Sequence, residues 1–165
     1  MSPAALARPA LAALLLALAA PAPPAHADAA RDEADIRRAL ERWTADFNAG
    51  RADGICDLFA PDLRARYQGQ PEKRFDTLCP ALQEDLRTGR LAYRYDLELQ
   101  EIMVSGDMAA VLLVWHLSVT DPATGKVERS SDQGLDIFRR QPDGQWRIAR
   151  FIAFPRPALP PVARD

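Results

Sequence analysis

Asp136 is the residue whose setting most invites chemistry, because Leu135 precedes it and Ile137 and Phe138 follow it. A carboxyl set in an apolar strand is driven toward its protonated form by burial, and a protonated acid can donate a hydrogen bond. The same carboxyl has structural uses too, as an ion pair with Arg150 on the next strand or as a group at the sheet edge. His116 is one of two histidines, the other being His26, so no multi-histidine metal set is available. If Val111, Leu113, Trp115 and Leu117 face a pocket, His116 lies on the opposite face with Leu112 and Val114. The chain has no Gly-x-Ser-x-Gly elbow, no phosphate-binding glycine loop and no dinucleotide fingerprint, and nothing in it implies a cofactor.

The remaining reactive pair is Cys56 and Cys79, the only cysteines of the chain. In an oxidising compartment an even pair is a disulfide candidate; the alternative is two buried thiols behaving as small apolar residues. The compartment is argued from the start of the sequence. Arg8 is followed by an apolar run over residues 10–20, shorter than the roughly 20 residues a bilayer span needs. Pro21-Ala22-Pro23-Pro24 then breaks the run, and Ala25-His26-Ala27 has the small-x-small pattern of a signal peptidase site. Residues 1–27 are therefore expected to be a signal peptide, cut after Ala27, giving a periplasmic or secreted protein. No cysteine stands directly after the apolar run, in residues 21–27, so no lipid or membrane anchor is expected.

Elements that could position these residues follow from periodicity. Ile36, Leu40, Trp43 and Phe47 recur at helical spacing, with Asn48-Ala49-Gly50 closing that helix. Asp53 can cap a short second helix carrying Ile55, Leu58 and Phe59 and stopped by Pro61, and residues 63–67 read as a short strand. Phe75, Leu78, Leu82 and Leu86 make a third helical stripe, in which Thr77 as cap would put Pro80 in the tolerant first turn. From Leu91 the period becomes two. Strands are expected over residues 91–104 with a bulge at Gln100-Glu101, over 108–120, over 126–140 and over 146–154. Helices followed by long antiparallel strands give an α+β class. Residues 28–154 form one domain, and the proline-rich residues 155–165 are expected to be disordered or extended. Removing Arg8 from the net charge of −2 leaves −3 on the mature chain, with acids and bases interspersed, which offers no footprint for nucleic acid.

This order, with Asn48-Ala49-Gly50 leading into Asp53-Gly54-Ile55, then Leu58-Phe59-Ala60 and a final Gly144-x-Trp146-x-Ile148 strand, resembles the NTF2-like superfamily over residues 30–154. Its SnoaL-like and ketosteroid-isomerase-like branch is the most similar. The resemblance implies a cone in which three N-terminal helices pack on a strongly curved antiparallel sheet around an apolar pocket, and a homodimer through the outer sheet face. Ketosteroid isomerases carry a tyrosine on the first helix and a general-base aspartate after the second; aligned here, those positions hold Trp43 and Tyr67. Indole has no ionisable proton near neutral pH, and a phenol with pKa near 10 is a poor base there. Asp136 alone matches, in Leu135-Asp136-Ile137-Phe138. The resemblance thus implies Asp136 and Tyr67 as candidate catalytic groups, and Trp43, Trp115, Leu113, Leu117 and Phe138 as candidate contacts for a small hydrophobic molecule. The alternative is that the aromatic residues simply fill a core. Three functions stand open on this reading: a small-molecule binder, an isomerase, dehydratase or cyclase, and a dimeric interaction module.

Overall fold

The computed structural model describes residues 25–157, so most of the expected signal peptide and of the expected tail lies outside the described residues. The first element is α1 (Ala25–Asn48), whose Ile36, Leu40, Trp43 and Phe47 are all buried on one stripe. It ends as its sequence suggests, with Gly50 at φ 69°. Asn48 does more than end the helix: its side-chain amide donates to the Tyr95 carbonyl and its carbonyl oxygen accepts from the Tyr95 amide, both at 2.7 Å.

The expected second helix does not form, and the described residues contain two helices rather than three. Residues 53–58 are a series of turns instead. Gly54 sits at φ 79°, outside the right-handed helical region, and the Ile55 carbonyl is taken by the Trp43 indole N–H at 2.9 Å. A six-residue segment has too few internal hydrogen bonds to offset helix nucleation against those two demands. The chain then enters β1 (Phe59–Tyr67), longer than the strand expected, the two-residue β2 (Lys73–Arg74) and α2 (Phe75–Thr88). Thr77 does take part in the capping of α2, its hydroxyl accepting from the Arg74 amide at 3.0 Å, but as the third helical residue and not the cap itself. Pro80 consequently lies beyond the first turn. Cys56 and Cys79 are bonded, with Cα atoms 5.7 Å apart, and the bond ties the 53–58 turns, not a helix, to α2.

Four strands complete the sheet: β3 (Ala92–Ser105), β4 (Met108–Thr120), β5 (Val127–Arg140) and β6 (Trp146–Pro155). Their order is β2-β1-β6-β5-β4-β3. Adjacent strands are antiparallel except β1 and β6, which run parallel, so the sheet is mixed rather than wholly antiparallel. The bulge expected at residues 100–101 is present between Leu99 and Glu101, and a second irregularity falls between Ile137 and Phe138. Such interruptions bend long strands toward the layer they cover, and here that layer is α1. The β6 strand reaches Pro155, and the Arg156 amide still donates to the Ser131 carbonyl at 2.7 Å.

Side chains alternate across this sheet. On β5, Asp132, Gly134 and Asp136 point to the helix side, and Leu135 points outward. The inward set packs with the stripe of α1 into a core that includes Leu63, Val111, Leu113, Phe138 and Ile148. At the far end of α1, Arg140 joins Asp32 at 2.5 Å and Asp107 at 3.1 Å and lies 4.5 Å over the Trp146 ring, fixing the helix start to the β5–β6 hairpin. No described helix is long and apolar enough to cross a membrane.

Candidate functional site

A cavity of about 80 Å³ lies between the helices and the inner face of the sheet. Trp43 comes to it from α1, Leu78 and Leu82 from α2, Phe59 and Tyr67 from β1, Tyr95 from β3, Trp115 from β4, Asp132, Gly134 and Asp136 from β5, and Phe151 from β6. Trp43, Tyr95 and Trp115 form one cluster, with ring centroids 5.3–5.6 Å apart. Tyr67 meets Phe151 edge to face at 5.2 Å on the other side. These are the separations and tilts at which aromatic pairs attract one another, so the walls support each other without a ligand.

Asp136 is 4% exposed. Its neighbours across the ladder are Val111 and Phe151, both apolar, which is why no ion pair forms. Arg150 takes another partner: it donates to the Asp62 carbonyl at 3.0 Å, and its guanidinium lies 3.6 Å from the Asp62 carboxylate. The ion pair weighed as an alternative use of Asp136 is therefore not made. No hydrogen bond from a described group reaches the Asp136 carboxyl, and no fully enclosed side-chain oxygen or nitrogen is left without a partner. The carboxyl oxygens thus open onto the cavity. Burial pushes the Asp136 pKa from 3.8 up to about 7.

The rest of the site is polar only at its edges. Asp132 is half-buried and also shifted upward by desolvation. The Tyr67 phenol is driven far above its ordinary value, first by burial and then by Tyr95, Asp136 and Asp132, so it stays protonated and can donate but not act as a base near neutral pH. Tyr95 is pushed up to about 12, mainly by burial. Gly134 leaves the floor open: a Cβ there would lie 2.9 Å from Leu113 Cδ1 and 3.5 Å from Asp136 Oδ1.

Of the residues singled out from sequence, Trp43, Tyr67, Trp115 and Asp136 surround one cavity. Leu113 and Phe138 are completely buried in the core, and Leu117 stands opposite Tyr95 at half burial; none of the three is in the cavity wall. Asp132, Gly134 and Tyr95 were missed. The signal for the first two was present, since they precede Asp136 by four and two residues on the same strand and so share its face. His116 lies on the outer face, its Nδ1 2.8 Å from Ser131 Oγ and its Nε2 3.3 Å from Glu98 Oε2. Among the described residues no group of three or more His, Cys, Asp or Glu side chains is placed to hold a metal ion.

Solved structures with this fold exist. One is a conserved protein from Planctomyces limnophilus (TM-score 0.71, 22% identity, covering 78% of this chain and 99% of that one). A candidate scytalone dehydratase from Novosphingobium aromaticivorans superposes with a TM-score of 0.67 at 18% identity, covering 82% and 96% of the two chains. A ketosteroid isomerase-like protein from Erwinia carotovora atroseptica does so with a TM-score of 0.59 at 22% identity, covering 76% and 96%. At such identities the likeness is one of fold. No curated protein matches the sequence. The model of the SnoaL-like domain matches residues 40–150, from the middle of α1 into β6, and the chain therefore belongs to the SnoaL-like family and carries the NTF2-like α+β fold with a curved six-stranded sheet.

Proposed function

We propose that this protein is an exported binder of a small, mostly apolar molecule, held in the aromatic-walled cavity with Asp136 as its polar contact. The observation that carries the reading is the Asp136 carboxyl, buried, without a protein partner and open to the cavity. Most buried carboxyls are paired, and one that is not is explained by a missing partner. The size of the space bears on the ligand. At about 80 Å³ it is well under the few hundred Å³ of a drug-sized pocket, which favours a compact molecule over a polycyclic one.

Two accompanying proposals rest on other observations. Export through cleavage after Ala27 is supported by the sequence of residues 1–27 and agrees with the disulfide, a bond characteristic of oxidising compartments. A homodimer through the outer sheet face is supported by the exposure of Leu135, Ile152 and Phe154, which adjoin one another on β5 and β6. A catalytic reading, as an isomerase, dehydratase or cyclase using Asp136 and Tyr67, is favoured by one further fact: with its pKa about 7, Asp136 exists in both protonation states near neutral pH, as an acid–base group should. The presence of a cavity weighs against a module with a filled core.

Benzyl alcohol binding, followed by the fluorescence of Trp43 and Trp115, tests the central claim. Gly134→Val, which places methyl groups in the cavity floor, should abolish the response while circular dichroism stays native. An unchanged response in a folded Gly134→Val protein would mean that the probe binds elsewhere and that the cavity is not a site.

A further inference from the structure

The cavity wall has an unusual charge balance. Among the described residues it contains two carboxyls, Asp132 and Asp136, and six aromatic rings, yet no lysine, arginine or histidine. Among the described residues the one cation placed on any of these rings is Lys73, whose ammonium lies 5.1 Å from the Tyr67 centroid and is not part of the wall. A ligand with no polar group would leave the Asp136 carboxyl as it is, buried and unmatched. An anion would be repelled by both acids. A compact organic cation meets both features at once, because its charge satisfies a carboxylate and its alkyl surface and charge together suit the faces of Trp and Tyr rings.

We propose that the cavity is selective for small alkylammonium ions, with Asp136 as the counter-ion and Trp43, Tyr95 and Trp115 as the aromatic cage. Asp132, half-buried on the same strand face, adds a second negative charge that draws a cation inward. Gly134 keeps the space between the two carboxyls free of side chain. The inference rests on the cavity being a binding site, as proposed above, and narrows its ligand from a small apolar molecule to a charged one with an apolar surface.

The groups facing Asp136 that titrate are Asp132 on its own strand, Tyr67 on β1 and Tyr95 on β3. Both phenols stay neutral across the accessible range, because burial raises them. A bound cation favours the ionised carboxylate, so affinity should climb as pH rises through the region where Asp136 loses its proton.

The test uses choline and its uncharged isostere 3,3-dimethyl-1-butanol, titrated calorimetrically into the protein at pH 5.5 and pH 8. Choline should bind at least about tenfold more tightly than the isostere at pH 8, and more weakly at pH 5.5. Asp136→Asn should remove most of that pH dependence and weaken choline by about tenfold or more, a larger loss than it causes for the isostere. Equal or tighter binding of 3,3-dimethyl-1-butanol, or choline binding untouched by Asp136→Asn, would overturn the cation inference. If benzyl alcohol binds in a Gly134-dependent manner but choline does not, the cavity stands as a site and only its charge selectivity falls. If none of the three probes binds, both readings fall.

Discussion

Asp136→Asn should make this protein more stable above neutral pH and leave it unchanged in acid. The wild-type carboxyl has a folded-state pKa of about 7 against an ordinary value of 3.8, the cause being burial. Between those two values the folded state holds the proton and the unfolded state has released it, so unfolding free energy falls as pH rises. The contribution is whole below about pH 4, declines through pH 4–7, and is gone above pH 7. At 1.36 kcal/mol per pH unit the full difference is about 4 kcal/mol, an upper figure since water entering the cavity would reduce it. Asparagine has a similar shape and never ionises, so the variant lacks this pH-dependent loss. Urea unfolding of both proteins from pH 4 to pH 8, disulfide intact, should give curves that coincide near pH 4 and diverge by up to about 4 kcal/mol at pH 8, the variant being higher. Taking the difference cancels the opposing effect of carboxylates such as Asp62, whose hydrogen bond from Arg139 lowers its pKa in both proteins. If the two proteins were equally stable at pH 8, the carboxyl would be solvated or paired, and the argument from an unmatched buried acid would fail.

Reducing the Cys56–Cys79 bond, or replacing both cysteines by serine, should cost about 3 kcal/mol for a bridge spanning 23 residues; chemical denaturation with and without reductant measures it. Asn48→Ala removes two hydrogen bonds to the Tyr95 backbone and should destabilise by about 1–3 kcal/mol, with the same urea assay as readout and no loss expected if Tyr95 finds other partners. Phe154→Glu, on the exposed outer face, should shift sedimentation at micromolar concentration from dimer toward monomer without unfolding the protein, and a wild-type monomer would dismiss the dimer. Material recovered from outside the cytoplasm should begin at Asp28 by N-terminal sequencing; a start at Met1 would remove the signal peptide.

The strands were readable from sequence because alternation survives in Tyr93, Tyr95, Leu97 and Leu99 and because two adjacent polar residues, Gln100 and Glu101, mark the bulge at its observed place. The first helix was equally plain, its stripe uninterrupted from Ile36 to Phe47. What periodicity cannot register is a tertiary demand on the backbone. Ile55 and Leu58 have helical spacing and are buried, but the carbonyl of Ile55 is needed by a tryptophan twelve residues earlier. The parallel β1–β6 pair was missed for a related reason, since a strand pattern carries no direction for its partner. At the site, the inward facing of Asp136 follows from its motif, and the same alternation places Asp132 and Gly134 on its face. That Leu113 and Phe138 lie in the core and not in the cavity wall reflects depth: facing inward places a residue on the helix side of a sheet, and only packing separates the residues lining a space from those beneath it.

The β1–β6 pair has a consequence for how this chain acquires its cavity. Apart from the two residues of β2, β1 has no sheet neighbour among the described residues but β6, whose paired residues lie 86–89 positions later in the chain. Tyr67 and Phe151, which meet in one wall of the cavity, come from these two strands. Closing so distant a contact is slow and comes after local hairpins such as β4–β5 can form. The wall opposite the tryptophans thus forms only once β6 has been made, and a product ending before β6 would leave β1 with β2 as its one sheet partner, its core residues Leu63 and Ala65 without the cover of β6. Assembly of the cavity therefore waits on β6, and an intact cavity reports that the domain has been made through its last described strand.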